Sequence, residues 1–146
     1  MERLCDVLNG MPFAEHLGIE ITAAADGTAS GRLEFGPEHS SVPGERIGHG
    51  GVAYALADTI GGAAVISLEG RPTPTIDMRI DYLAPARTDL FAEAVVRRRG
   101  GSVAVADVEV VDENDRAVAT ARGVYKTGGG DGETPWTHDT DGTDTK

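Results

Sequence analysis

One segment of this chain can be a long helix, and it is built with few large side chains. From Gly50 to Leu68, Val52, Leu56, Ile60, Ala63 and Ser67 recur near helical spacing, and Gly70 and Pro72 supply the stop. Much of the remainder is Ala53, Ala55, Ala57, Gly61, Gly62 and Ala64. Glycine in a helix interior costs about 1 kcal/mol against alanine. Two in succession, at Gly61 and Gly62, predict that another element packs against bare helix backbone.

The other periodic segments are mostly strand-like. Glu2 to Leu8 reads as a short helix stopped by Asn9-Gly10. Met11 to Leu17 can add a helical turn after Pro12. Gly18 to Ala25 and Thr28 to Phe35 are strands around the turn Asp26-Gly27. Gly36 to Gly48, with two Pro and three Gly, must be loop. Thr75 to Leu83 alternates, with Ile76, Met78, Ile80 and Tyr82 on one face and Thr75, Asp77, Arg79 and Asp81 on the other. Leu90 to Arg98, Val103 to Val111 and Ala117 to Lys126 complete six strands, the last two joined through Glu113-Asn114-Asp115. Strands gathered around one helix give an α+β fold with a mostly antiparallel sheet. Such a sheet leaves a face or an edge to cover, which oligomerisation commonly does.

Charge and composition exclude several functions. The formal net charge is -11, from 24 acidic and 13 basic residues. Nucleic-acid binding needs a basic stripe, and anionic membrane surfaces need the same. An acidic surface poor in Lys suits a high-salt cytoplasm. The start of the chain has no apolar signal-peptide core. The longest weakly polar run, Val52 to Ser67, is too short for a membrane span and carries Asp58. Cytoplasmic localisation is the expectation. A lone Cys5 and four scattered His, with no i,i+4 pair, offer no metal site. The 146 residues suit one domain over 1–127. The Gly-, Asp- and Thr-rich stretch 128–146 reads as an acidic, disordered tail.

Chemistry concentrates at the start of the long helix. His49, Gly50 and Gly51 stand at its mouth. A helix N-terminus presents unpaired N–H groups and partial positive charge, and glycine lets a ligand oxygen approach them. An oxyanion site needs that arrangement. Asp58 follows nine residues after His49, among Leu56, Ala57, Ile60 and Ala63. A carboxylate on so apolar a helix is expensive unless it is used or paired. Asp58 is a catalytic base or nucleophile, or the partner of a core Arg such as Arg79, or a group at a wet helix edge. His49 acts on a ligand or merely caps the helix.

These segments together resemble the hotdog-fold thioesterases, specifically the phenylacetic-acid-degradation branch of acyl-CoA thioesterases. Met11 to Ile19 (MPFAEHLGI) is similar to the family's opening. His49-Gly50-Gly51 with Leu56-Ala57-Asp58 is similar to its signature, and Thr75 to Arg87 (TIDMRIDYLAPAR) to its strand pattern. Arg98 to Ala106 fits the later hairpin. The resemblance implies about six antiparallel strands wrapped around one central helix, and no cofactor. It implies hydrolysis of an acyl-CoA to acid and CoA at a subunit interface of a dimer or tetramer. Gly50 would supply the oxyanion N–H, with Gly51 beside it, and His49 would orient or polarise the thioester carbonyl. Asp58 would activate water or attack directly. Thr75 would help position water from the neighbouring subunit.

Arg87, Arg97, Arg98 and Arg99 are candidates for the CoA phosphates. Arg97 to Arg99 can equally balance nearby acids at a strand end. One position departs from the pattern: Pro43 stands six residues before His49, where many relatives carry an amide side chain. Glu45 or Arg46 would then enter the site, or that interaction is missing. A non-catalytic acyl-CoA-binding module and a hydratase of similar architecture are the alternative functions.

Overall fold

Alternation along each strand decides which side chains meet the long helix. The structure, a computed structural model, describes residues 2–128. The expected tail lies outside the described residues apart from Gly128. In chain order the elements are α1 (Glu2–Asn9), α2 (Pro12–Leu17), β1 (Ile19–Ala25), β2 (Thr28–Leu33) and a 3-10 turn (Pro37–His39). They continue with α3 (Gly50–Glu69), β3 (Thr75–Tyr82), β4 (Leu90–Arg99), β5 (Val103–Val111) and β6 (Ala117–Lys126). The strands form one sheet in the order β1-β2-β4-β5-β6-β3, with every neighbouring pair antiparallel. The sheet wraps α3, as expected for a hotdog fold.

Turn chemistry fixes the hairpins. Asp26 and Gly27 both take positive φ, 52° and 81°, the type I′ geometry that matches strand twist. Asp112, 3% exposed, closes the β5–β6 hairpin by accepting from the backbone N–H groups of Asn114 and Arg116. At the outer edge, Asn9 covers β1. Its Nδ2 donates to the Ile21 carbonyl at 3.0 Å, and its Oδ1 accepts from the Ile21 N–H at 2.7 Å. That satisfies one donor and one acceptor of an otherwise open strand.

The core is small residues against small residues. α3 buries Leu56, Ile60 and Val65 along with its alanines. The sheet answers with Ala92 and Ala94 of β4, Ala104 and Ala106 of β5, and Ala119 of β6. Gly31 of β2 has no room for a Cβ, because the Ile60 side chain occupies that space. At Gly61 a Cβ would run into the Tyr125 hydroxyl. Tyr125, 1% exposed, lies across the helix and donates from Oη to the Asp58 carbonyl at 3.1 Å. Burial, and then the charge of Asp58, push its phenol well above the usual tyrosine range. Tyr125 is therefore the element anticipated against the Gly61-Gly62 backbone. At Gly62 the same ring would sit 3.5 Å from a Cβ, an ordinary contact.

Two expectations are corrected. α3 extends beyond Val52–Ser67 at both ends, and at 20 residues it is long and apolar enough by composition to cross a bilayer. The sheet wrapped around it accounts for its apolar character as a core helix. β3 also does not keep one apolar face in the core. Met78 is buried, but Ile76 and Tyr82 are 55% and 52% exposed. β3 is an edge strand, and a bulge between Thr75 and Asp77 breaks the strict alternation.

Gly61→Ala forces the new methyl into the Tyr125 hydroxyl. It should lower stability by about 1–3 kcal/mol, the usual cost of overpacking a core, read as a lower denaturation midpoint at unchanged m-value.

Candidate active site

The loop before α3 is held by a buried histidine. His39 is 2% exposed. Its Nδ1 accepts from the Gly36 N–H at 2.8 Å, and its Nε2 lies 2.7 Å from the Leu17 carbonyl, so the ring's one proton resides on Nε2. Its own carbonyl accepts the His49 N–H at 2.8 Å. The Gly48 N–H donates to the Ala86 carbonyl at 2.7 Å. Beyond these anchors, Val42 to Glu45 forms a turn closed by the Glu45 N–H on the Val42 carbonyl. Gly44 has φ 78°, which with Pro43 before it is the type II pattern. Arg46 stacks over the Phe35 ring at 4.8 Å and donates to the Arg87 carbonyl at 2.8 Å. Pro43 thus serves the turn and Arg46 is engaged elsewhere.

His49 is the N-cap of α3. Its Nδ1 accepts the Gly51 N–H at 2.8 Å, so the neutral ring carries its proton on the exposed Nε2. The capping reading is met, and the cap leaves a donor aimed away from the helix. It also occupies the N–H of Gly51, which was expected to face substrate. The Gly50 N–H makes no hydrogen bond among the described residues. Tyr82 covers Gly50, donating from Oη to its carbonyl at 2.7 Å. Partial desolvation of its hydroxyl, then the proximity of Tyr54, raise its phenol above the usual range and keep it a donor, although the residue as a whole is exposed. Gly48, His49, Gly50, Tyr82 and Pro85 line a cleft of about 410 Å³ at the helix mouth. Pro43, Glu45 and Arg46 are not among its walls.

Asp58 sits half-buried further along the helix. Thr75 donates from Oγ1 to Asp58 Oδ1 at 2.6 Å, while Oδ2 makes no hydrogen bond among the described residues. One alternative for Asp58 is not met, and Thr75 sits where strict alternation does not put it. Arg79 pairs with Asp81 at 3.1 Å rather than with Asp58. Thr75 reaches Asp58 of its own chain. The β3 bulge explains it: Thr75 pairs with Tyr125 and Met78 with Gly123, and cross-strand partners share a face. The extra residue turns Thr75 to the helix side, where strict alternation would have pointed it outward. Asp58, Thr75, Met11, Phe13 and Ile66 line a second cleft of about 250 Å³.

The two clefts share no lining residue. Gly50 and Asp58 are eight residues apart, about 12 Å along the axis at 1.5 Å per residue. The arginine candidates also separate. Arg97 pairs with Asp107 at 3.1 Å. Arg99 pairs with Glu69 at 2.6 Å and donates to the Leu68 carbonyl, where a cation complements the C-terminal end of α3. These two match the charge-balancing alternative. The side chains of Arg87 and Arg98 make no hydrogen bond among the described residues, and Arg87 follows Ala86 at the helix-mouth cleft.

Comparison with known proteins agrees with this fold. The model of the thioesterase superfamily matches residues 47–119, a span from the loop before α3 into β6. A Halobacterium salinarum protein named as an esterase is 40% identical over 75% of this chain and 80% of its own. The medium/long-chain acyl-CoA thioesterase YigI of Escherichia coli is 31% identical over 81% of this chain and 86% of its own. The acyl-coenzyme A thioesterase PaaI of Escherichia coli is 33% identical over 75% of this chain and 78% of its own. The PaaI structure superposes with a TM-score of 0.76, covering 86% of this chain and 90% of that one at 29% identity. A hotdog sheet closed on a small-sided helix, with relatives of this closeness, makes the chain a member of the thioesterase superfamily.

Proposed function

We propose that this protein hydrolyses acyl-CoA thioesters at sites shared between two copies of the chain. The observation that carries the reading is the separation of the two clefts. A nucleophile must stand about 3–3.5 Å from the carbonyl carbon it attacks, and an oxyanion donor about 2.7–3.1 Å from the oxygen. Gly50 and Asp58 of one chain, about 12 Å apart along α3, do not meet both limits. A two-fold arrangement brings the helix mouth of one protomer to the Asp58 cleft of its partner. The exposed Tyr54, Ile76, Tyr82 and Leu83 beside the open β3 edge supply an apolar surface suited to that contact.

In this reading the Gly50 N–H and the His49 Nε2–H polarise the thioester carbonyl. Asp58, across the interface, takes a proton from water as it attacks, or adds directly to the carbon to give an anhydride that water then opens. Thr75 holds Oδ1 and leaves Oδ2 to act. The carbonyl carbon loses its bond to sulfur, and CoA leaves as a thiolate that takes up the proton given by water, directly in the first route and when the anhydride is opened in the second. Arg87, beside the helix mouth, is the cation best placed for a CoA phosphate. The acidic surface suits a high-salt cytoplasm, which the resemblance to a Halobacterium protein supports. Binding without hydrolysis is the second reading, favoured by Pro43, which leaves no amide at its position.

A thiol-release assay over a panel of acyl-CoAs tests the proposal. Asp58→Asn should lower turnover by about 10²–10⁴-fold, the range of a positioned acid or base, with folding retained. Turnover at the wild-type rate in that variant would remove Asp58 from the mechanism. Thr75→Val should cost about tenfold or more, as a bond to a charged group is lost. His49→Ala should lose about 1 kcal/mol of stability with the helix cap, whereas His49→Asn, itself a good cap, should restore most of it.

A further inference from the structure

Gly62 is the glycine that packing does not explain. Its neighbour Gly61 faces the Tyr125 hydroxyl with no space for a side chain, but a Cβ at Gly62 would meet only Tyr125 Cε1, at 3.5 Å. Alanine would fit there and would favour the helix over glycine. Gly62 does line the Asp58 cleft, together with Ala63 and Ile66. It stands four residues after Asp58, one turn on and on the same face, about 6 Å along the axis. A second feature of that cleft points to a ligand. Thr73, 7% exposed, is part of its wall, and Thr73 Oγ1 is the one buried side-chain polar atom without a hydrogen-bond partner among the described residues.

We infer that Gly62 is a specificity-determining residue: its bare Cα keeps the cleft open one helical turn beyond Asp58, so that the cleft accepts acyl groups with an apolar body several carbons long. The inference rests on hydrolysis at Asp58. The acyl group would leave the carbonyl at Asp58 and run along α3 between Gly62 and the side chains of Met11 and Phe13. A short acyl group ends before Gly62. A longer or aromatic one lies against it, and a methyl there takes its space. Removing room for one methylene in an apolar pocket changes specificity about 10–200-fold.

The experiment measures kcat/KM for acetyl-, butyryl-, hexanoyl-, octanoyl- and phenylacetyl-CoA with the wild type, Gly62→Ala and Gly62→Ser. Thermal melting and solution mass are recorded for each. The expected result is a folded variant of unchanged assembly, melting no lower than wild type. Its ratio of octanoyl- to acetyl-CoA hydrolysis should be at least tenfold lower, with phenylacetyl-CoA also disfavoured. A uniform loss across the series, an unchanged profile, dissociation to monomers or failure of both variants to fold would each overturn the inference. Dissociation would assign the glycine to a subunit contact instead. A wild type that hydrolyses none of these thioesters overturns the proposed activity as well, which separates the two failures.

Discussion

The contact between Tyr125 and the bare helix backbone at Gly61 organises the rest of this molecule. It lets β6 lie close along α3, and it anchors the Tyr125 hydroxyl on the carbonyl of Asp58. In the register of β3 against β6, Thr75 stands opposite Tyr125. The residue that seats on the helix therefore also delivers the hydroxyl that binds the Asp58 carboxylate. Main chain and side chain of one aspartate are gripped by two adjacent strands. The glycine that looks like a defect in helix propensity is what allows that grip. The same constraint spreads outward. A helix approached this closely on several sides carries mostly small residues between Leu56, Ile60 and Val65, and the alanines of β4 and β5 are the matching half of the fit.

Much of this was legible in the residue pattern, and the failures have local causes. The small-sided helix, its end at Gly70, the Asp26-Gly27 hairpin and the six strands follow from periodicity and turn chemistry. Asp58 stood out because it is an acid among apolar neighbours. The facing of Thr75 did not follow, because alternation assumes a regular strand and one bulged residue inverts every inference beyond it. Tyr125 and Tyr82 read as ordinary strand residues, since the backbone groups they bind are distant in sequence. His39 was unreadable for the same reason: its partners are main-chain atoms of a loop and of the preceding helix. The arginine run at the end of β4 was conspicuous in an acidic chain, but two of its members are answered by Asp107 and Glu69.

The helix mouth and the aspartate stand at different places with different groups left free. At the mouth, the His49 cap occupies the Gly51 N–H and leaves the Gly50 N–H and the His49 Nε2–H as donors. At Asp58, one carboxylate oxygen is held by Thr75 and the other is not. On the proposed reading each half is incomplete for acyl transfer, and a straight α-helix keeps them about 12 Å apart. On this account the open β3 edge is a functional surface, and assembly and chemistry are one requirement. Tyr82 connects the two: it covers Gly50 from β3, so whatever docks on that strand bears directly on the helix mouth.

The shared site is tested most directly by mixing two inactive proteins. Gly50→Pro removes the N–H while suiting the first position of a helix, and the extended His49 backbone (φ -59°, ψ 139°) accepts a following proline. Asp58→Asn disables the other half. Co-refolding the two in equal amounts should restore about a quarter of wild-type thioester hydrolysis, because random dimers leave one intact site in half of the pairs. A mixture as inactive as its separate components would contradict the account and return both groups to a single chain.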